Sequence, residues 1–337
     1  MRGSGGGWKS WRGGWRRSEG ALPALAKPGE VMLYFDSFIA HAQKERMKTI
    51  GFVDYYLDEW HANMYPNWIR TASQGAWDVT LAWEEIAKPG GKGIDTWCAE
   101  QGVRKAGSIA QVVSECDAIV VLSPDNMEHH ERLADLPLRS GKPVYIDKTF
   151  APTLAGARRM FAKARKHGTP LCSSSALRFS PDLRATRRET IGTEQVRLVV
   201  SRGCNDFRKQ YAVHTAETLV ALLGTGARRV MQVGTPATPV VAVDYGGDRR
   251  GVMELNAPGF QLFVEYGAAG KSAVVDVTQD FWNGSDGFIP NLLRFFETGV
   301  PMAPAAETLE IMALLEAATK AVAKPHRWVA VPRSREV

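Results

Sequence analysis

The stretch that most constrains this chain is residues 118–152, AIVVLSPDNMEHHERLADLPLRSGKPVYIDKTFAP. An apolar run, Ala118–Leu122, stops at Ser123-Pro124, and a polar segment with helical character follows. A second apolar run, Pro143–Ile146, carries Asp147-Lys148 at its end. Two short apolar strands separated by a crossover of this length pair most simply as parallel neighbours. In open α/β sheets ligands collect beyond the carboxyl ends of the strands. Ser123, Pro124, Asp125, Asp147 and Lys148 are thereby predicted at a functional edge, with Lys148 the candidate for chemistry.

A chain of 337 residues, 45% hydrophobic and 23% charged, has the length for two ordinary domains with real cores. The net charge of +6 is unevenly placed. Eight basic and four acidic side chains in residues 1–46 account for +4 of it. What remains is too weakly basic to imply a nucleic-acid partner. Cys98, Cys116, Cys172 and Cys204 form no CxxC pair, which suggests free thiols and a reducing, cytoplasmic setting. No run approaches the ~18 apolar residues a bilayer span needs, so no membrane partner is expected.

Residues 1–20 are rich in glycine, arginine and tryptophan, and residues 1–46 as a whole are expected to be a disordered or non-native extension. Met47 opens a fresh unit, and purine-rich codons for Lys44-Glu45-Arg46 would suit a ribosome-binding site upstream of it. Mass spectrometry of the native N-terminus tests that start. From Thr49 to Tyr55 the run is predicted as a first strand, followed by a helix capped by Asp58, with Glu59 in its first turn and an interruption at Pro66. Trp77–Trp83 is a second strand ending in Glu84-Glu85. Helices are expected over 96–101, after Ser108 and over 153–167, and a strand over 170–175. From Gln195 longer β-rich runs joined by glycine-containing turns suggest a mixed or antiparallel sheet, with helices over 214–223 and 307–323. The fold expected is a Rossmann-like α/β domain over 47–175, then an α+β domain over 176–333 whose last helix returns to the first.

This order of elements resembles the Gfo/Idh/MocA oxidoreductases, the glucose–fructose oxidoreductase and inositol dehydrogenase superfamily, over roughly residues 47–330. The likeness rests on Ser123-Pro124 closing a strand, His129 or His130 downstream, Gly141-Lys142, then Asp147-Lys148-Thr149 where the family has Glu-Lys-Pro. It continues with Arg178-Phe179-Ser180-Pro181 and with Gln210–Glu217, similar to the family's Asp-x-Gly-x-His-x-x-Asp helix. The resemblance implies NAD(P)-dependent hydride transfer on a sugar, polyol or related hydroxy compound, with NAD preferred. It places Lys148 on the reacting hydroxyl and His214 as acid/base, and it implies a homo-oligomer built on the second-domain sheet. Both side-chain types can pass a proton near neutral pH.

The departure lies at the phosphate loop, where glycines normally let backbone N–H groups approach the pyrophosphate. Here the residues are Asp54-Tyr55-Tyr56-Leu57-Asp58-Glu59, with no glycine between Gly51 and Gly75. Like charges ~4 Å apart repel by about 4 kcal/mol at an effective dielectric near 20, so three acids here oppose two phosphates. Three readings stay open: a dinucleotide bound in a shifted way, an acid/base or lyase-type enzyme without one, and a non-catalytic binding protein. In the first, Asp54, Tyr55, Tyr56, Glu84, Ser123, Pro124, Asp125, His129 and Asp147 border the cofactor, with Glu84 or Glu85 placed for a ribose hydroxyl. In the second, Asp54, Asp58, His61, Lys148, Arg178, His214 and Glu217 supply the polar groups. Arg178, Asn205, Gln210 and Glu217 are the candidate substrate contacts, Arg178 being read equally as an ion pair that ties the two domains together, and the Trp282-Asn283-Gly284 loop is a candidate aromatic wall. His214 and Glu217 share a helix face, but two ligands make no metal site.

Overall fold

The computed structural model describes residues 46–190, 196–204, 211–267 and 270–333. The expected extension over 1–46, Asn205 and Gln210 therefore lie outside the described residues, apart from Arg46 itself. The chain starts with strand β1 (Lys48–Asp54), helix α1 (Trp60–Ala72), β2 (Trp77–Glu84), α2 (Ile94–Gln101), β3 (Arg104–Lys105) and α3 (Ile109–Glu115). Next come β4 (Ala118–Val121), a short α4 (His130–Leu133), β5 (Val144–Ile146), α5 (Leu154–Lys166) and β6 (Leu171–Cys172). These six strands form one sheet in the order β3-β2-β1-β4-β5-β6, every pair parallel. That is the doubly wound Rossmann order, whose strand sequence reverses between β1 and β4. Strands β1, β4 and β5 are buried almost throughout, as a sheet covered on both faces requires.

Gly51 explains how α3 reaches that sheet. A Cβ there would stand 2.3 Å from Val112 Cγ1 and 2.9 Å from Cys116 Sγ, so only glycine lets the helix pack so close.

The second half holds α6 (Pro181–Thr190), β7 (Val196–Cys204), α7 (Ala212–Leu223), β8 (Arg229–Gln232), β9 (Val240–Gly246), β10 (Arg249–Ala257), β11 (Gln261–Tyr266) and β12 (Lys271–Val275). It ends with α8 (Phe288–Thr298), α9 (Ala305–Ala323) and β13 (Val329–Ala330). Its sheet runs β12-β11-β7-β10-β9-β8-β13, antiparallel except for β7 beside β10, and is therefore mixed. Helix α7 covers one face; α9 packs on α7, on β8 and on α5 of the first half, where the Leu154 N–H donates to Glu316 Oε2.

Two local expectations are corrected. The cap of α1 is Glu59 rather than Asp58, because Asp58 instead accepts from the Lys92 N–H and the Asn63 amide. Pro66 does not interrupt α1: it lies on the buried face with Ala62, Tyr65 and Ile69, and packing against α8 outweighs the lost hydrogen bond. Helices α6 and α8 were absent from the predicted elements. Helix α8 carries its own signature, Gly287 before and Gly299 after a Phe288, Leu292, Phe295, Phe296 spacing. Among the described residues no helix is long and apolar enough to cross a membrane. The described cysteines Cys98, Cys116 and Cys172 are free and buried, and burial pushes each thiol up to about 11, away from reactivity.

Candidate active site

Lys148 and His214 reach one cavity from opposite halves of the chain. The cavity holds about 230 Å³; Asp147 and Lys148 after β5, His214 on α7, and Trp60, His61 and Tyr65 on α1 all line it. Aromatic rings close the rest: Tyr145, Tyr211, Phe260, Phe281, Trp282 and Phe288. Trp282 is central to this wall, with ring centroids 5.3 Å from Trp60, Trp68 and Phe288 and 5.6 Å from His61. The Trp282 loop thus stands where an aromatic wall was expected.

His61 is the residue that the sequence placed among the polar groups without a role. Its Nδ1 donates to Asp147 Oδ2, a contact with both side chains almost fully buried. Burial alone would raise Asp147, but the charges of His61 and Lys148 and hydrogen bonds from His61 and the Lys148 N–H hold it down at about 2. An ionised Asp147 only accepts, which fixes the proton on Nδ1 and leaves Nε2 as the second nitrogen of a ring on the cavity wall. Tyr145 Oη donates to the Ser174 carbonyl at 3.0 Å and to Asp147 Oδ1 at 3.2 Å, supporting the same carboxylate.

His214 is half-buried, and burial, then the neighbouring Lys148 and His61 charges, push it down to about 3. It is neutral across the physiological range. Ser175 Oγ lies 2.7 Å from its Nδ1 and already accepts from the Leu177 N–H, which directs the hydroxyl proton toward the imidazole. The Lys148 ammonium lies 5.4 Å from the Tyr211 ring centroid, a cation–π contact inside the cavity.

Other predicted residues are placed elsewhere. Arg178 and Glu217 do not line this cavity; they are buried against each other, with Arg178 Nε donating to Glu217 and Nη1 to Glu307 Oε2 at 2.5 Å. An arginine this deep needs carboxylate partners, and that need turns it away from a substrate. Glu217 is further held by the Ser174 hydroxyl at 2.9 Å, so as substrate contacts both are corrected.

The strand ends where a dinucleotide would rest are joined to one another. Ser123 Oγ donates to Asp54 Oδ1 at 2.7 Å, and the Tyr55 N–H donates to both, stitching β1 to β4 at the switch point of the sheet. At the N-terminus of α1, Glu59 accepts from His61 N at 2.7 Å and Ala62 N at 2.5 Å, the donors a pyrophosphate would use. Glu84 accepts from Leu57 N and Ile94 N, so it fixes loops instead of facing a ribose. Tyr55 stacks on His129 at 4.0 Å, Tyr56 meets Lys88, Pro124 is buried and Asp125 is exposed. His130, fully buried, lies between the Phe150 and Ser123 carbonyls. Asp54 and Glu84 are thus corrected from cofactor contacts to structural ones. In this arrangement the loop does not fit a pyrophosphate in the way a glycine loop does.

The obstacle is one of shape more than of charge. Burial raises Asp54 and lifts Glu59 to about 8, so Glu59 favours the neutral form at pH 7. Asp58 alone is held low, mainly by the Lys92 N–H. The repulsion expected from three charged acids is largely absent. Among the described residues no group of three His, Cys, Asp or Glu side chains comes together to hold a metal ion.

A parallel sheet in the 3-2-1-4-5-6 order, followed by a mixed sheet, with a lysine and a histidine lining one cavity, defines the class: a protein built on a Rossmann fold. The family described as the oxidoreductase family with an NAD-binding Rossmann fold, Gfo/Idh/MocA, matches residues 63–174 of this chain. An uncharacterized protein, y4oX, of Sinorhizobium fredii is 28% identical over 167 residues, 44% of this chain and 45% of that protein. The chain thus matches less than half the length of that curated relative. The solved structure of GenD2 from gentamicin A biosynthesis, in complex with NAD, is 16% identical with a TM-score of 0.67, covering 86% of this chain and 98% of that one. WlbA dehydrogenase from Bordetella pertussis, in complex with NADH and UDP-GlcNAcA, is 15% identical with a TM-score of 0.67, covering 85% and 99%. At these identities the likeness shows the fold.

Proposed function

We propose that this chain is an oxidoreductase acting at a hydroxyl-bearing carbon of a small sugar- or polyol-like molecule, with NAD favoured over NADP as redox partner. The observation that carries the proposal is the convergence of Lys148, His214 and His61 on one aromatic-walled cavity. Lys148 and His214 hold the reacting oxygen. Lys148 supplies a charge-assisted hydrogen bond, and neutral His214 supplies a directed one. His61, oriented by Asp147, takes the hydroxyl proton, the arrangement in which a carboxylate holds a general base. Trp60 and Trp282 offer flat apolar faces to the carbon face of a sugar ring. In support, the structural neighbours named above carry NAD or NADH, and one carries UDP-GlcNAcA.

Part of the mixed sheet is left open on the side away from α7. Leu198, Val200, Val252 and Phe263 are half-buried there, which supports pairing of two copies through this face.

A second reading is favoured by one observation, the seal that Glu59 and Asp54 place on the dinucleotide crevice. In it the same cavity performs acid/base chemistry, such as elimination of water, without a nicotinamide. Titration with NADH and NADPH, following tryptophan quenching, separates the two. Saturable binding, lost activity in Lys148→Ala and retained fold carry the first. No binding up to millimolar cofactor, with turnover of a hydroxy acid or sugar in its absence, moves the assignment to the second.

A further inference from the structure

A second cavity, of about 350 Å³, lies between α6, α8 and the segment 298–302, and shares no lining residue with the one over Lys148. Five arginines line it: Arg178 from the short turn Ala176–Phe179 that precedes α6, Arg184, Arg187 and Arg188 from α6, and Arg294 from α8. Three carboxylates pair with four of the five. Glu217 and Glu307 meet Arg178, Glu307 also meets Arg187 at 3.0 Å, and Asp286 meets Arg184 at 2.5 Å and Arg294 at 3.7 Å. Arg188 has no carboxylate within ion-pair distance among the described residues. At the inner end Arg178, its side chain 3% exposed, keeps Nη2 buried with no hydrogen-bond partner among them. A buried guanidinium N–H without a partner costs free energy until an acceptor meets it.

We infer that this cavity is a binding site for the phosphate group of a small phosphorylated molecule, separate from the active site. Guanidinium forks match phosphate oxygens two at a time, and an excess of five cations over three anions calls for a dianion. The volume suits a small ligand, in the usual range of roughly 300–1,000 Å³, rather than a polymer, and the charge is gathered in a hollow instead of spread along a stripe. Phe179, Phe295, Pro301 and Met302 give the remaining wall an apolar surface for the carbon skeleton. The arginines themselves show the electrostatic imbalance. Arg184 is held below the usual guanidinium range by burial and then by Arg188, Arg294 and Arg187, against the pull of Asp286. Arg187 is lowered likewise by burial and by Arg178.

The test is calorimetric titration of the full chain with inorganic phosphate and with glucose 6-phosphate, at constant ionic strength, with glucose and chloride as controls. Saturable binding of both phosphates is expected, and Arg188→Ala should weaken it by about tenfold, or ~1.4 kcal/mol. Arg294→Gln serves as an independent variant should Arg188→Ala fold poorly, judged by circular dichroism. Absence of saturable phosphate binding at millimolar concentrations would overturn the inference. So would binding left unchanged in both folded variants, or binding of inorganic phosphate with none of the ester.

Discussion

His61 donates its Nδ1 proton to Asp147, joining the first turn of α1 to the end of β5 across 86 residues of chain. The contact ties the cavity floor to the helix that carries Trp60 and Tyr65 of its aromatic wall. It also sets the tautomer of that imidazole, with the carboxylate backing it.

Asp147→Asn should therefore lower kcat more than it alters substrate affinity. The amide cannot fix the same tautomer, and a general base is worth roughly 10²–10⁴ in rate. His61→Ala should show a similar loss, and the double variant little more than either. Steady-state kinetics on any substrate found for the cavity reads this directly. Additive losses in the double variant would separate the two residues into unrelated roles.

Glu59 links pH to stability. Its folded value, about 8, stands above the ordinary 4.5, so the folded chain binds a proton there that the unfolded chain has released. The contribution is fully present below about pH 4.5 and is lost as pH rises through about 8. Urea unfolding should show a stability decline over that window, flattened in Glu59→Gln, which keeps a neutral acceptor on His61 N and Ala62 N. A slope identical in both proteins would assign the window to other groups.

Arg178 is predicted to be a stability residue first. Removing one member of a buried ion pair costs about 3–5 kcal/mol, because the partner charge is left behind. Arg178→Ala strands Glu217 and Glu307 together, and its denaturation midpoint should fall well below that of Arg188→Ala, whose side chain serves neither carboxylate. Comparable midpoints would show that the pair contributes little.

Gly51→Ala tests the close approach of α3 to β1. A methyl group 2.3 Å from Val112 Cγ1 cannot be accommodated without moving the helix, and overpacking of this kind costs typically ~1–3 kcal/mol. Gly75→Ala is not the same experiment: that position has open space but a φ of +81°, so its penalty is conformational. Thermal unfolding of the first, with and without Val112→Ala, should show partial rescue.

Much of the fold was legible because period and punctuation were strong. Parallel strands buried on both faces appear as short apolar runs, and Ser123-Pro124 and Asp147-Lys148 mark where two of them end. Helix α8 escaped notice because its phenylalanines follow a long irregular stretch, and α6 because its ten residues are mostly polar and carry little apolar signal. The substrate role expected of Arg178 came from position along the chain, which does not say which side of a helix a guanidinium takes.

What the sequence determined alone is the order of most strands and helices, the Rossmann-type first half, and the family likeness with Lys148 and His214 in its motif positions. These follow from local pattern, since the spacing of apolar residues and turn formers is written residue by residue. The tertiary structure alone decided that His61 meets Asp147, that Glu59 seals α1, and that Arg178 faces a second cavity away from Lys148. Those outcomes depend on which buried polar group finds a partner within about 3 Å, and residues tens of positions apart settle that only when the chain is packed. The acidic loop at 54–59 shows the difference most clearly. In the sequence it is three charges, whereas in the fold burial raises Asp54, lifts Glu59 to about 8, and uses both as internal acceptors.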